Sequence, residues 1–164
     1  MQNIEPNELL VDVQSQSLYH LKAGVLCKEY QISTAKNGVG EKLGSEKTPR
    51  GWHYIRAKIG DEQPINTVFA ARRPTGAIYS EDLHALNPDK DWILTRIMWL
   101  CGMELGFNRL GDCDTMKRYI YIHGSPDSKI MGRPSSKGCI NMHNEDLMQL
   151  YSEIPVGTKV FIRG

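Results

Sequence analysis

With 164 residues, the chain is long enough for one domain with a substantial core and short for two. Its 24% charged and 40% hydrophobic residues are ordinary for a globular protein and unlike those of a disordered chain. A formal net charge of +1, with no Lys/Arg block, excludes the electrostatic footprint of a nucleic-acid or anionic-membrane binder.

The amino-terminal segment Met1–Leu10 has neither a basic stretch nor an apolar run of export-signal length, which predicts a cytosolic protein. The first third reads as a β-meander. Leu9–Gln14, Ser17–Leu21 and Val25–Ser33 are short apolar or alternating runs, broken at Ser15-Gln-Ser and Lys22-Ala-Gly. The Gly- and Lys-rich stretch Lys36–Ser45 lacks any phosphate-binding glycine pattern and predicts a flexible loop on the substrate side. Thr48-Pro-Arg-Gly is a turn feeding a strand through Trp52, Tyr54 and Ile55. His53 on that strand faces solvent or is a satisfied core histidine.

Residues 60–92 are turn-rich, with a short helical turn around His84. Trp92–Leu100 is apolar, and its period alone fits either strand or helix. Its extension to Met103 is far too short to span a bilayer. Arg118–Gly124 is the clearest strand, alternating aromatic and β-branched residues before Gly124 and Pro126 stop it. Asn144–Ile154 predicts a helix, with Asn144 as capping residue, acids in the first turn and one apolar face. Pro155-Val-Gly ends it, and Thr158–Arg163 closes the chain as a strand. The fold class expected is mainly β with one or two helices, a single domain over residues 1–164.

Four cysteines, Cys27, Cys101, Cys113 and Cys139, are expected to remain thiols in a reducing compartment, the first three as small buried hydrophobes. Cys139 differs because Gly138 precedes it and polar loop residues surround it. His123 lies sixteen positions upstream, at the end of the clearest strand. A thiol becomes an acyl acceptor when a base takes its proton and amide N–H groups await the oxyanion. His123 is the candidate base, and the N–H groups around Gly138 and Cys139 are the candidate oxyanion donors. No Asp or Glu is placed to orient the imidazole, so a backbone carbonyl near Gly124 or Ser125 is expected to hold its tautomer. A competing reading is a metal site of Cys139 and His143 with His123, Cys113 or His84. The tighter C-x-x-C pairing usual for zinc is absent, so no metal and no cofactor is expected.

His123-Gly followed by Ser136-Lys-Gly-Cys139-Ile-Asn resembles the signature of the L,D-transpeptidase catalytic domain, or YkuD domain, family. Ser33-Thr34 and Thr48-Pro-Arg-Gly resemble the family's upstream element, and the likeness covers residues 7–163. The resemblance implies a YkuD-like β-sandwich. It also implies a cysteine that attacks the bond between a diamino acid and D-alanine in a peptidoglycan stem. By position, Cys139 would be the nucleophile, His123 the base and acid, and Gly138 with Cys139 the oxyanion donors. Ser136 and Asn141 would shape the loop. Lys137 stands where many members carry a histidine that is not the base.

A carboxylate-ended stem needs a cation, for which Arg133, Lys137 and Arg96 are candidates. The expected partners are peptidoglycan stem peptides or soluble muropeptides, with neither nucleic acid nor membrane. Combined with a cytosolic location, the resemblance implies an L,D-carboxypeptidase that trims terminal D-alanine in murein recycling. The alternatives are an L,D-transpeptidase and a muropeptide-binding module without turnover.

Overall fold

The computed structural model describes residues 6–164, so the first five residues of the segment read for an export signal lie outside it. The expected meander is present as β1 (Asn7–Asp12), β2 (Ser17–Lys22) and β3 (Val25–Ser33). Ala23 and Gly24, with φ of 50° and 76°, make the β2–β3 turn left-handed, which matches the twist of the strands it joins. Next come β4 (Gly51–Ile59), β5 (Thr67–Ala70), β6 (Arg73–Ile78), helix α1 (Glu81–Leu86), β7 (Leu94–Gly102), β8 (Tyr121–Gly124), β9 (Ile140–Met142), helix α2 (Asn144–Glu153) and β10 (Lys159–Arg163). The run after Trp92, ambiguous by period, is the long strand β7.

Strand order is β4-β10-β1-β2-β3-β9-β8-β7, and a β4–β7 pairing joins the two ends of that series. The result is the expected β-sandwich, closed on itself like a barrel. Most pairings are antiparallel; β1–β10 and β8–β9 are parallel. The space inside is filled by Leu9, Val11, Leu18, Ile32, Ile55, Met98, Leu100, Ile122, Ile140, Met142, Val160 and Ile162, with Leu147, Leu150 and Ile154 of α2 packed against them. Each fully buried aliphatic side chain contributes about 1.5–3 kcal/mol, so this cluster fixes which face of every strand points inward.

Three readings need correction. Residues 60–92 are not merely turns, because β5 and β6 form a hairpin there, outside the ring and tied to β7 through Val68 opposite Leu94. Its turn uses Ala71 and Arg72 at φ of 46° and 64° rather than Asn-Gly, and β6 carries Pro74 and Gly76 as an exposed edge strand. Cys27 lies on a strand as expected but is exposed, and Cys113 is half-buried; of the three presumed buried cysteines only Cys101 is. His53 takes the second of its two readings. It is fully buried, with Nδ1 3.0 Å from the Gly51 carbonyl and Nε2 3.0 Å from the Thr115 hydroxyl. Burial pulls its pKa down to about 4.

Candidate active site

Because Ile122 and Ile140 point into the barrel and are opposite one another, the intervening residues Tyr121 and His123 of β8 must face the other side, with Cys139 and Asn141. A second apolar cluster forms there from Phe69, Ile97 and Tyr121, with Ile93, Trp99 and Cys139 packed on it. In the parallel register Tyr121 lies level with Cys139, and His123 is opposite Asn141. The strand spacing puts the backbones of His123 and Cys139 about 8 Å apart on a diagonal of the same sheet face.

His123 is buried, and its Nδ1 lies 2.6 Å from the Gly124 carbonyl oxygen. A carbonyl only accepts, so Nδ1 carries the proton and Nε2 is left with its lone pair, the tautomer a base requires. The holder is therefore one of the two carbonyls expected from the sequence. Burial lowers the imidazole pKa, partly offset by that hydrogen bond and by Asp91.

Gly124 is itself held from behind by the buried Asn144 amide. Its Nδ2 donates to the Ser125 carbonyl at 2.8 Å, to Asn66 Oδ1 and to Asp127 Oδ1. Its Oδ1 accepts the Thr95 hydroxyl at 2.6 Å. Thr95 sits at φ 75° in an irregularity of β7, an uncommon conformation for a β-branched residue, with its hydroxyl also accepting Asn66 N–H. Asn144 is thus not the helix cap expected from the sequence. His143 occupies that position, and Asn144 begins the helix with its side chain spent on the site.

Cys139 is half-buried, and its Sγ accepts the Tyr121 N–H at 3.3 Å and lies 3.4 Å from the Tyr119 carbonyl. Burial pushes the thiol up to about 12, against the opposing pull of the Tyr121 N–H, Arg118 and Lys129. With the thiol raised and the imidazole lowered, both are neutral at rest.

The loop before Cys139 is braced by its upstream partners. Thr48 accepts Ala35 N–H and donates to the Gly138 carbonyl at 2.9 Å, and the Thr34 carbonyl accepts the N–H groups of Ser135 and Ser136. Gly138 has φ 131°, a conformation that L residues rarely adopt, beneath Ile120 and the Lys47 carbonyl. Ser136 accepts Gly138 N–H at 3.2 Å and donates to the Cys139 carbonyl at 2.6 Å. Gly138 N–H, read from the sequence as an oxyanion donor, is thus engaged by Ser136 inside the loop. The planar peptide turns Cys139 N–H away from Thr48, on the side opposite the Gly138 carbonyl.

Cys139 opens on a cleft of about 300 Å³ lined by Phe69, Arg72, Asp91, Ile93, Arg118, Tyr121 and Lys137, among others. Of the proposed substrate-binding residues only Lys137 lines it. Arg133 is exposed and does not line the cleft. Ser136 and Asn141 are buried, Asn141 Oδ1 having no hydrogen-bond partner among the described residues, and Arg96 is bound to the Gln63 and Thr95 carbonyls. Reading the sequence missed Arg72, Asp91, Arg118 and Tyr121. Tyr121 was legible, two positions before His123 on one strand face; Arg72 and Arg118 lie in turns and Asp91 in the irregular segment before β7, which carry no such signal. Among the described residues no three His, Cys, Asp or Glu side chains converge as metal ligands, and no helix is long and apolar enough to cross a membrane.

Residues 6–162 match the model of the L,D-transpeptidase catalytic domain family, YkuD. The chain is 49% identical over 129 residues to a putative L,D-transpeptidase encoded in the ATP synthase subunits region of Fuscovulum blasticum, covering 72% of this chain and 67% of that one. It is 46% identical over 46 residues to the putative L,D-transpeptidase YkuD of Bacillus subtilis, 28% of each chain. Its fold is similar to an L,D-transpeptidase from Mycobacterium smegmatis, with a TM-score of 0.59 at 18% identity over 98% of this chain and 59% of that one. L,D-transpeptidase 3 from Mycobacterium tuberculosis gives 0.61 at 13% identity, over 98% and 62%. The chain thus spans less than two thirds of three of these four relatives. Its match along nearly its whole length, with the fold to accompany it, makes it a member of the L,D-transpeptidase catalytic domain (YkuD) family.

Proposed function

We propose that the protein is a cysteine-dependent L,D-carboxypeptidase. It would cleave the bond between the diamino acid and the terminal D-alanine of a peptidoglycan tetrapeptide stem. The observation that carries this reading is that one sheet face holds both a thiol seated under the Tyr121 N–H and an imidazole whose Nδ1–H is tied to the Gly124 carbonyl. Cys139 Sγ attacks the scissile carbonyl carbon as its proton passes to His123 Nε2, and the oxyanion is met by Cys139 N–H. The intermediate collapses to a thioester, and the imidazolium hands its proton to the departing amine of D-alanine. Water then adds to the thioester, giving a proton to His123, which returns it to the leaving thiolate.

Water rather than an amine as acceptor is supported by the charge of the cleft. Arg72, Arg118 and Lys137 line it against Asp91. An amine that is cationic in water meets an unfavourable field there, whereas a carboxylate-ended stem and a neutral water do not. The second reading, transfer to an amine, draws on the family itself. Incubation with a free tetrapeptide muropeptide, with and without an added D-amino acid, is expected to give tripeptide and D-alanine by mass. Unchanged tetrapeptide, or only exchanged product, refutes hydrolysis. A cytosolic site of action, on soluble muropeptides, is proposed with it. Full-length tagged protein should then fractionate with cytoplasmic markers, and recovery outside the cytoplasm overturns it.

A further inference from the structure

Three cationic side chains line the cleft, but they are not equally free. The Arg118 guanidinium is occupied by the Gly40 carbonyl at 3.2 Å, the Ser45 hydroxyl at 3.3 Å and the Lys47 carbonyl at 2.6 Å, so it braces the 40–47 loop. Lys137 is exposed at the rim on a flexible stem. Arg72 is different. Its guanidinium lies over the Trp99 ring at 5.1 Å and the Tyr119 ring at 4.7 Å, and Nη1 donates to the Tyr121 hydroxyl at 3.1 Å.

Aromatic faces and one phenol oxygen orient a guanidinium without consuming its fork, which matches a carboxylate bidentately. Among the described residues no carboxylate lies within ion-pair distance of Arg72. It stands on the left-handed turn between β5 and β6, a conformation costly enough for a non-glycine pair that the surrounding structure must hold it. Tyr121 measures the distance to the thiol. Its N–H is on Cys139 Sγ and its hydroxyl is on Arg72, so the guanidinium stands one tyrosine away from the nucleophile.

We infer that Arg72 is the carboxylate-binding, specificity-determining residue of this cleft, receiving the free carboxylate of the D-amino acid that leaves. The inference rests on the L,D-carboxypeptidase reading for its substrate. The carboxylate-binding role itself rests only on the geometry around Arg72. The carboxylate of a leaving D-amino acid lies a few bonds beyond the carbonyl that Sγ attacks, on the scale of the tyrosine that separates the two groups. A stem ending in a neutral group would leave the guanidinium unpaired, and the site would discriminate against it.

Two measurements on the full chain test this with wild type, Arg72→Ala and Arg72→Lys. The first needs no peptidoglycan: rates of Cys139 alkylation by iodoacetate and by iodoacetamide. In each reaction Sγ bonds to the reagent's methylene carbon, iodide departs and the thiol proton is lost. R72A is expected to lower the iodoacetate-to-iodoacetamide rate ratio severalfold, with R72K between the two. The second compares kcat/KM for a tetrapeptide stem ending in free D-alanine with its carboxamide. R72A is expected to lose about ten- to a hundredfold on the free acid and little on the amide. An unchanged alkylation ratio, or equal losses on acid and amide, overturns the inference. Should wild type turn over neither peptide, the carboxypeptidase reading fails, and the alkylation ratio alone decides whether Arg72 binds carboxylates. Melting temperatures of the variants exclude unfolding as the cause.

Discussion

Replacing Cys139 with alanine is expected to abolish D-alanine release, a loss of about ten-thousandfold or more, with the circular dichroism spectrum unchanged. A muropeptide-binding module would keep its function in that variant, so the same measurement separates the two classes of activity. His123→Ala should cost about a hundred- to ten-thousandfold. The pH profile carries a further expectation. The His123 pKa is lowered from 6.5 by burial, so its base form persists into acid, and the acid limb of kcat/KM should fall below pH 6.5. The thiol is pushed up to about 12. Alkylation by iodoacetamide should therefore climb with pH past the ordinary thiol range, with no plateau at acid pH. A plateau near pH 5 would mean a resting thiolate–imidazolium pair and would overturn the neutral ground state.

The second large effect is expected at Gly124. A Cβ there would lie 2.2 Å from Asn144 Oδ1 and 2.7 Å from the Leu94 carbonyl oxygen. The second contact is backbone and cannot swing aside. Gly124→Ala should therefore cost about 3 kcal/mol or more and lower the melting temperature by roughly 6–12 °C. Activity should fall further than the loss of folded protein explains, because the carbonyl that holds His123 Nδ1–H belongs to the displaced residue. Asn144→Ala removes one of the two obstructions, so the double variant should be less destabilised than the sum of the singles. Strict additivity would show that the Asn144 amide does not govern this position.

The parts of the fold and site that were legible in the sequence have short-range causes. Alternation marks β1 to β3, the Pro-Gly turn marks the start of β4, and an apolar stripe marks α2. Cys139 and His123 stand out because a glycine before a cysteine and a histidine at a strand end are local patterns. The failures are where tertiary contacts decide. Arg118–Gly124 alternates over its full length, yet only Tyr121–Gly124 is strand. Tyr119 turns to φ 56° and Arg118 is drawn to the 40–47 loop. The β5–β6 hairpin has no Asn-Gly signal at its turn and no apolar alternation on its exposed edge. Arg72 was hidden with it. Asn144 reads as a cap because helices often begin that way; its burial beside Gly124 comes from strands far away in the chain.

The parallel pairing of β8 with β9 has a consequence for how such a site can be lost. The proposed base and nucleophile, His123 and Cys139, sit at the two ends of one crossover, and their relative height is set by three residue pairs: Ile122 with Ile140, His123 with Asn141 and Gly124 with Met142. A slip of one position would rotate Cys139 into the oily interior and bring Ile140 out to face the imidazole. What forbids the slip is the burial of Ile140 and Met142, neither of which has any chemistry to perform. Selection for reactivity at this site would thus act first on silent aliphatic positions, and a polar change at Ile140 would disarm the thiol while leaving every reactive group in place.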